Sequence, residues 1–399
     1  MIKRHIETEL RKLLKEYPVV TLLGPRQAGK TTLARGALDT YDYANLENPE
    51  TRQFAMDDPK GFLAQFKTNV ILDEIQRVPE LLSYIQIIVD DKKSNGQFVL
   101  TGSHQLALRE AITQSLAGRT SILNLLPFSI AELADAGITF DQAQDYIYQG
   151  FLPRIYDQQQ RPTQAYSNYY QTYVERDVRQ LINLKDFTLF EKFMKLLAGR
   201  VGQLMDYSSL ANAVGVSAKT IKHWLSILEV SFVIYKLPPY FENFGKRVVK
   251  SPKYYFIDTG LLAYLLGIEK PSQVARDPLV GQMFENLVVI ECLKTRSNQG
   301  RLANLYFYRD SNGNEVDILY QDGRELTLIE VKSSSTYQTA LIKGLKKNAS
   351  LSPVMTRSYL VYAGEHIAFS DGITALKYDQ VGLIFSNLSV LDESPVPGV

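Results

Sequence analysis

The sequence predicts an α/β protein with a three-layer nucleotide-binding core, then a helical connector, a winged helix and a second α/β unit. Three observations lead there. Gly24-Pro25-Arg26-Gln27-Ala28-Gly29-Lys30-Thr31 reads GxxxxGKT, a phosphate-binding loop of the P-loop NTPase kind, directly after the apolar run Val19-Val20-Thr21-Leu22-Leu23. A second apolar run, Asn69-Val70-Ile71-Leu72, ends in the acids Asp73-Glu74. Far downstream, Leu326-Thr327-Leu328-Ile329-Glu330-Val331-Lys332 reads as a strand with an acid and a lysine on one face.

Residues 1–135 alternate strands and helices, with strands near Val19, Tyr43, Ile71, Val99 and Leu123. A charged amphipathic helix carrying Leu10, Leu13 and Leu14 leads in. In the loop, glycines let successive backbone N–H groups turn inward on an anion. The helix continued by Thr32-Leu33-Ala34-Arg35 adds partial positive charge at its start. Residues 24–32 would therefore hold ATP, with Lys30 reaching the β- and γ-phosphates and the Thr31 hydroxyl on Mg²⁺. Asp73 would hold the same Mg²⁺ through water, and Glu74 would orient and polarise the attacking water. This pair implies hydrolysis rather than nucleotide storage. A third strand, Gln97-Phe98-Val99-Leu100, ends in Thr101-Gly102-Ser103, where the hydroxyls of Thr101 and Ser103 would sense the γ-phosphate or else simply form a turn. Arg119, just ahead of the apolar run Ile122 to Leu126, is a candidate arginine finger; the alternative is a surface arginine.

Residues 136–200 read as helical and tyrosine-rich, a lid or connector, with a turn at Gly150-Phe151-Leu152-Pro153 and a solvated charged face at Glu175-Arg176-Asp177. Residues 201–275 read as a winged helix-turn-helix. Ser208 to Val214 is a short capped helix, Gly215-Val216-Ser217 is the turn and new cap, and Ala218 to Leu228 is the second helix. Strands at Ile234-Tyr235 and Tyr254-Tyr255-Phe256-Ile257 flank a basic wing containing Lys246, Arg247, Lys250 and Lys253. These cations, with Lys219, Thr220, Lys222 and His223, are the candidates to face DNA; a packing or protein-contact module is the alternative.

Residues 276–385 carry a second constellation, and 386–399 are a tail. Glu285 lies in a helix, Asp317 follows the turn Asp310 to Asn314, and Glu330 and Lys332 lie on the next strand. Asp317 and Glu330 would share a Mg²⁺ or Mn²⁺, with Glu285 completing the carboxylate shell and Lys332 orienting or deprotonating a water. A cross-strand salt bridge is the other reading of the same residues.

Composition narrows the function classes. A chain of 399 residues with 45% hydrophobic residues can bury several cores. One cysteine, Cys292, excludes a disulfide framework. No apolar run approaches membrane-spanning length and the amino terminus lacks a signal-peptide core, so a cytoplasmic protein without a membrane partner is expected. A net charge of +1 leaves nucleic-acid contact to local patches.

The phosphate loop, the Asp73-Glu74 pair and the Thr101-Gly102-Ser103 strand end resemble the AAA-type ATPases of the prokaryotic archaeal-ATPase group. Glu175-Arg176-Asp177, the winged helix and the Glu285/Asp317/Glu330/Lys332 set resemble the C-terminal region that often follows that domain. That region is similar to the restriction-endonuclease-like, PD-(D/E)xK, nuclease superfamily. The resemblance implies the roles given above for Lys30, Thr31, Asp73 and Glu74, and a nucleotide-responsive role for Arg119. The expected protein is a Mg²⁺-dependent, DNA-directed ATPase coupled to a nuclease-like domain, with homo-oligomers possible. Its rival is a nucleotide-controlled switch whose nuclease-like domain is inactive.

Overall fold

A computed structural model describes residues 2–103, 106–173, 187–240, 250–311, 313–349, 355–368 and 372–386. Glu175-Arg176-Asp177, Lys246, Arg247 and nearly all of the tail lie outside the described residues.

The first sheet is five-stranded: β1 Val19–Gly24, β2 Asp42–Asn45, β3 Val70–Asp73, β4 Phe98–Ser103 and β5 Thr120–Asn124. Its order is β2-β3-β4-β1-β5 and every pairing is parallel. Alternation along the strands makes the three layers. Val19, Leu23, Val70, Leu72 and Leu100 pack on one side against the helices Pro59–Ala64, Leu81–Lys92 and Leu106–Ser115. Val20, Leu22, Ile71, Val99 and Leu123 pack on the other against Glu7–Glu16 and Lys30–Ala37. All strands run the same way, so their carboxyl ends open onto one edge, where an open α/β sheet places its ligand.

Most of the remaining helices share one core, while Leu345 of the helix Lys343–Ala349 packs with Leu319, Leu328 and Leu360 in another. One apolar cluster runs from Leu126 through the buried tyrosines Tyr146, Tyr166, Tyr169 and Tyr170 to Trp224, Phe256, Phe284 and Phe385. Residues on both sides of 200 and of 275 contribute to this cluster. Within it, Asp206 caps the helix Tyr207–Val214, Gly215 ends it with φ 97°, and Ser217 caps Ala218–Val230. A two-stranded antiparallel ribbon follows, β6 Ile234–Leu237 with β7 Lys253–Phe256.

The second large sheet is mixed: β8 Leu305–Arg309, β9 Glu315–Asp322, β10 Glu325–Lys332, β11 Met355–Tyr362, β12 Ile367–Ala368 and β13 Ile373–Lys377, in the order β12-β13-β11-β10-β9-β8. β8, β9 and β10 are antiparallel neighbours, whereas β10, β11 and β13 are parallel. The long helix Val280–Asn298 joins this sheet to the central cluster through Leu287, Val288 and Ile290. Among the described residues no helix is long and apolar enough to cross a membrane.

Candidate functional site

Gly24 ends β1 and passes so close to the next strand that a Cβ there would fall 2.1 Å from the Leu125 carbonyl oxygen. Gly29 holds φ 90° to start the helix Lys30–Ala37. Between them the loop residues Pro25, Arg26, Gln27 and Ala28 curl at the carboxyl edge of the sheet, and Gln27 itself has φ 63°. The Lys30 ammonium folds under the loop, donating to the carbonyls of Gly24 (3.0 Å) and Pro25 (2.8 Å). Burial pushes its pKa down to about 8, against the opposing pull of Glu74 and Asp73.

β3 lies two strands from β1, and its acids reach the same place. The Thr31 hydroxyl donates to Asp73 at 2.9 Å, so the two predicted magnesium ligands face each other. Thr101, at the end of β4, also donates to Asp73 and receives the Glu74 backbone N–H at 3.3 Å. Glu74 adopts φ 59°, which turns its side chain off the strand direction. Gln76 donates to the Glu74 carboxylate and, at 2.9 Å, to the Ser103 hydroxyl. The side chains of Lys30, Thr31, Asp73, Glu74, Thr101 and Ser103 thus meet at one strand edge. Together they offer a cation, two carboxylates and three hydroxyls beside a curl of backbone N–H groups, a set able to hold a triphosphate and place a water.

Three residues here escaped the sequence reading. Tyr43, on β2, donates to Asp73 at 2.8 Å, and burial followed by the Asp73 charge raises its pKa. Gln76 is the second. The third is Arg4, 6% exposed, whose guanidinium donates to the carbonyls of Ala28 and Leu126, both at 2.7 Å, and to Glu132 at 3.0 Å. Arg4 and Tyr43 arrive from distant stretches of chain, whereas Gln76 lies two residues past Glu74, where its position beside the acid pair is a signal the sequence did carry.

Arg119 takes the alternative reading given for it, a surface arginine. It precedes β5, with its carbonyl accepting from Val19 N, so it sits at the amino-terminal edge of the sheet. Five strand steps of about 3.3 Å, roughly 16 Å, separate that edge from Gly24. There Arg119 makes a two-pronged ion pair with Asp90, at 2.6 and 2.8 Å, on the helix Leu81–Lys92. It takes no part in the phosphate site of its own chain.

The C-terminal residues also converge. Asp317 on β9 stands opposite Glu330 on β10, next to the register pair Ile318 and Ile329. The Lys332 ammonium lies 2.6 Å from Glu330 and 3.5 Å from Asp317, and Asp317 accepts Val331 N at 2.8 Å. Burial and the Asp317 charge push the Glu330 carboxyl up to about 7, and its second oxygen is buried with no hydrogen-bond partner among the described residues. Glu285, on the long helix, accepts from Tyr255 at 2.5 Å and Lys253 at 3.0 Å.

Lys253 is a correction. Read as a wing cation, it is 3% exposed and sits between Glu285 and Glu315, 2.7 Å from the latter. Burial would lower its pKa, but the Glu285 and Glu315 charges raise it. Of the other basic candidates, Lys219, Lys222, His223 and Lys250 are exposed and Thr220 is half-buried. Among the described residues, no three acidic, histidine or cysteine side chains are gathered as a metal-binding group.

Comparison with known proteins agrees with the amino-terminal geometry. The profile of an AAA domain matches residues 16–134, and profiles of two domains of unknown function, DUF8612 and DUF4143, match 140–272 and 280–381. An uncharacterized protein of Mycobacterium tuberculosis is 30% identical over 386 residues, covering 95% of this chain and 84% of that protein. The chain belongs to this family of AAA-domain ATPases. An uncharacterized protein of Haemophilus influenzae is 25% identical to the ATPase over 302 residues, 71% of each chain. Among solved structures, the Walker-type ATPase PABY2304 of Pyrococcus abyssi aligns with a TM-score of 0.45 and 15% identity, over 66% of the ATPase and 96% of that chain.

Proposed function

We propose that the ATPase hydrolyses Mg²⁺-ATP at the edge of its first sheet, with DNA as the target of that work and the C-terminal site as a divalent-ion phosphodiesterase. At the first site, the loop amides and Lys30 bind the β- and γ-phosphates, and Thr31 with Asp73 would hold Mg²⁺. The ion neutralises phosphate charge when bound. Glu74 orients a water and takes its proton as the new P–O bond forms and the bond to ADP breaks. Gln76 and Ser103 fix the Glu74 carboxylate, and Thr101 fixes Asp73.

The observation that carries the second half is Glu330. A buried carboxylate with one unpartnered oxygen, facing Asp317 and beside Lys332, is the arrangement a divalent cation and a phosphate would complete. Exposed Lys219, Lys222 and Lys250 on and near the helix-turn-helix supply cations for a DNA backbone, with His223 exposed beside them.

The rival reading, a nucleotide-controlled switch with an inactive C-terminal domain, draws on Lys253, which already neutralises Glu285 and Glu315. One experiment separates them. ATP turnover is measured with and without single-stranded, double-stranded and branched DNA, and the same reactions are scored for cleavage in Mg²⁺ and Mn²⁺. The proposed function gives DNA-stimulated turnover, and cleavage lost in Asp317→Asn and Glu330→Gln. Turnover indifferent to every DNA, with no cleavage and no calorimetric divalent-ion binding in Lys30→Ala protein, gives the switch.

A further inference from the structure

The first domain has a second surface, at the opposite edge from the nucleotide site. A groove of about 460 Å³ runs beside the starts of β3 and β4. Its walls include Phe66, Ile87 and Ile88, and Lys60, Lys67 and Lys92 stand along it. No acidic residue lines it. The three lysines are exposed, and none has an ion-pair partner among the described residues. Ile87 is 58% exposed, the kind of apolar side chain a soluble surface covers when it forms a contiguous patch.

The patch continues on the neighbouring helix Pro49–Asp57. Phe54 is 42% and Met56 56% exposed there. The Phe54 ring meets Phe62 edge-on at 5.7 Å, and Phe62 meets Phe66, a wall of the groove, at 5.3 Å. This helix is net acidic, opposite to the groove: Glu50 and Asp57 are exposed on it, against one half-buried cation, Arg52. One face therefore holds an acidic helix with two apolar side chains and a lysine-edged apolar groove, joined by an aromatic row.

We propose that this face joins two copies of the chain, the Phe54/Met56 helix of each lying in the groove of the other. A surface carrying both halves of a complementary pair is self-complementary, and a two-fold axis satisfies both halves at once and closes the assembly. Glu50 and Asp57 of one copy then meet Lys60, Lys67 and Lys92 of the other, and Phe54, Met56 and Ile87 leave water together. The groove half of the contact lies at the amino-terminal edge of the sheet, and the helix half follows the carboxyl end of β2, with Ala55 packed on the face of the sheet opposite the helix Lys30–Ala37. The groove half also places Arg119 near the interface and away from either phosphate loop, so the dimer has no arginine finger from this residue.

The test is the mass of the full-length protein in solution. Sedimentation velocity is run from about 1 to 100 µM, the range in which an interface of ordinary size assembles. Two variants at exposed positions are compared, Met56→Glu on the helix and Ile87→Glu in the groove, with per-chain ATP turnover as the check on folding. The wild type is expected to be a dimer, and each variant to dissociate at least about tenfold more readily. An equimolar mixture of the two variants keeps one intact helix–groove pair, so it is expected to recover part of the dimer that neither forms alone. A wild type that stays monomeric across the range overturns the proposal, including one that instead captures an acidic amphipathic peptide. Variants that dimerise as tightly as the wild type, or a mixture no better than its parts, overturn it equally.

Discussion

Arg4 and Glu132 form a buried ion pair at 3.0 Å, and the same guanidinium grips the Ala28 carbonyl of the phosphate loop. Glu132 also accepts from the backbone N–H groups of His5 and Ser129, at 2.8 and 2.9 Å. Next to Ser129, Ile130 donates its N–H to Glu291 on the long helix that carries Glu285. The pair thus ties the loop, the start of the helical region and the C-terminal helix together.

Removing one partner leaves an uncompensated buried charge. Glu132→Gln and Arg4→Met should each cost about 3–5 kcal/mol in unfolding free energy, and the double variant less than the sum. Burial alone would raise the Glu132 carboxyl, but the Arg4 charge and the hydrogen bonds hold it below the ordinary glutamate value. A depressed carboxyl contributes stability above its unfolded pKa of about 4.3 and loses it as pH falls through the folded value. The wild-type advantage over Glu132→Gln should therefore be full at pH 7 and shrink below about pH 4. Denaturant unfolding at both pH values checks this, and a pH-independent difference would contradict it.

Arg119→Ala should leave steady-state ATP turnover within about twofold of wild type, because its guanidinium sits at the far end of the sheet on Asp90. An exposed pair of this kind contributes little stability. A loss of turnover with nucleotide affinity retained would return Arg119 to the chemistry.

Lys253→Met tests the corrected assignment of that lysine. It should destabilise the protein by about 3–5 kcal/mol, since Glu285 and Glu315 lose their shared cation. The DNA affinity of the folded protein and its salt dependence should not move. Charge reversal at Lys219, Lys222 and Lys250 should instead weaken binding across all sequences, and each lost phosphate contact should flatten the log–log salt slope by about 0.9. Equal effects of Lys253→Met on affinity would put it back on the DNA face.

The two sites differ in how well the sequence exposed them, and the reason is physical. Gly24 to Thr31 was legible because a phosphate loop is a local object whose turn, lysine and helix start are fixed by spacing. Asp73 and Glu74 were legible because a parallel strand delivers its terminal residues to the ligand edge. Arg4 and Tyr43 act through contacts whose partners lie in distant segments, so spacing carries no trace of them; Gln76, two residues after Glu74, was within reach of the spacing and was passed over. Arg119 misled because a glycine and an arginine before an apolar run do not say which end of the strand the arginine marks. Lys253 misled because it ends a run of cations that reads as solvated. Only the pairing of β7 beside Glu285 and Glu315 shows it buried. Asp317, Glu330 and Lys332 meet in ion pairs, whereas Glu285 pairs with Lys253 and Tyr255, contacts that no spacing announced.

The proposed function requires that Lys30 bind nucleotide and Glu74 activate water in one site. The direct measurement is ATP affinity and single-turnover hydrolysis of Lys30→Ala and Glu74→Gln in Mg²⁺. Lys30→Ala should lose binding, since it removes the cation aimed at the phosphates. Glu74→Gln should bind ATP within a few-fold of wild type and hydrolyse it at least about a hundredfold more slowly, because an amide can hydrogen-bond water but not take its proton. Wild-type hydrolysis in Glu74→Gln, or equal loss of affinity in both variants, would contradict the account.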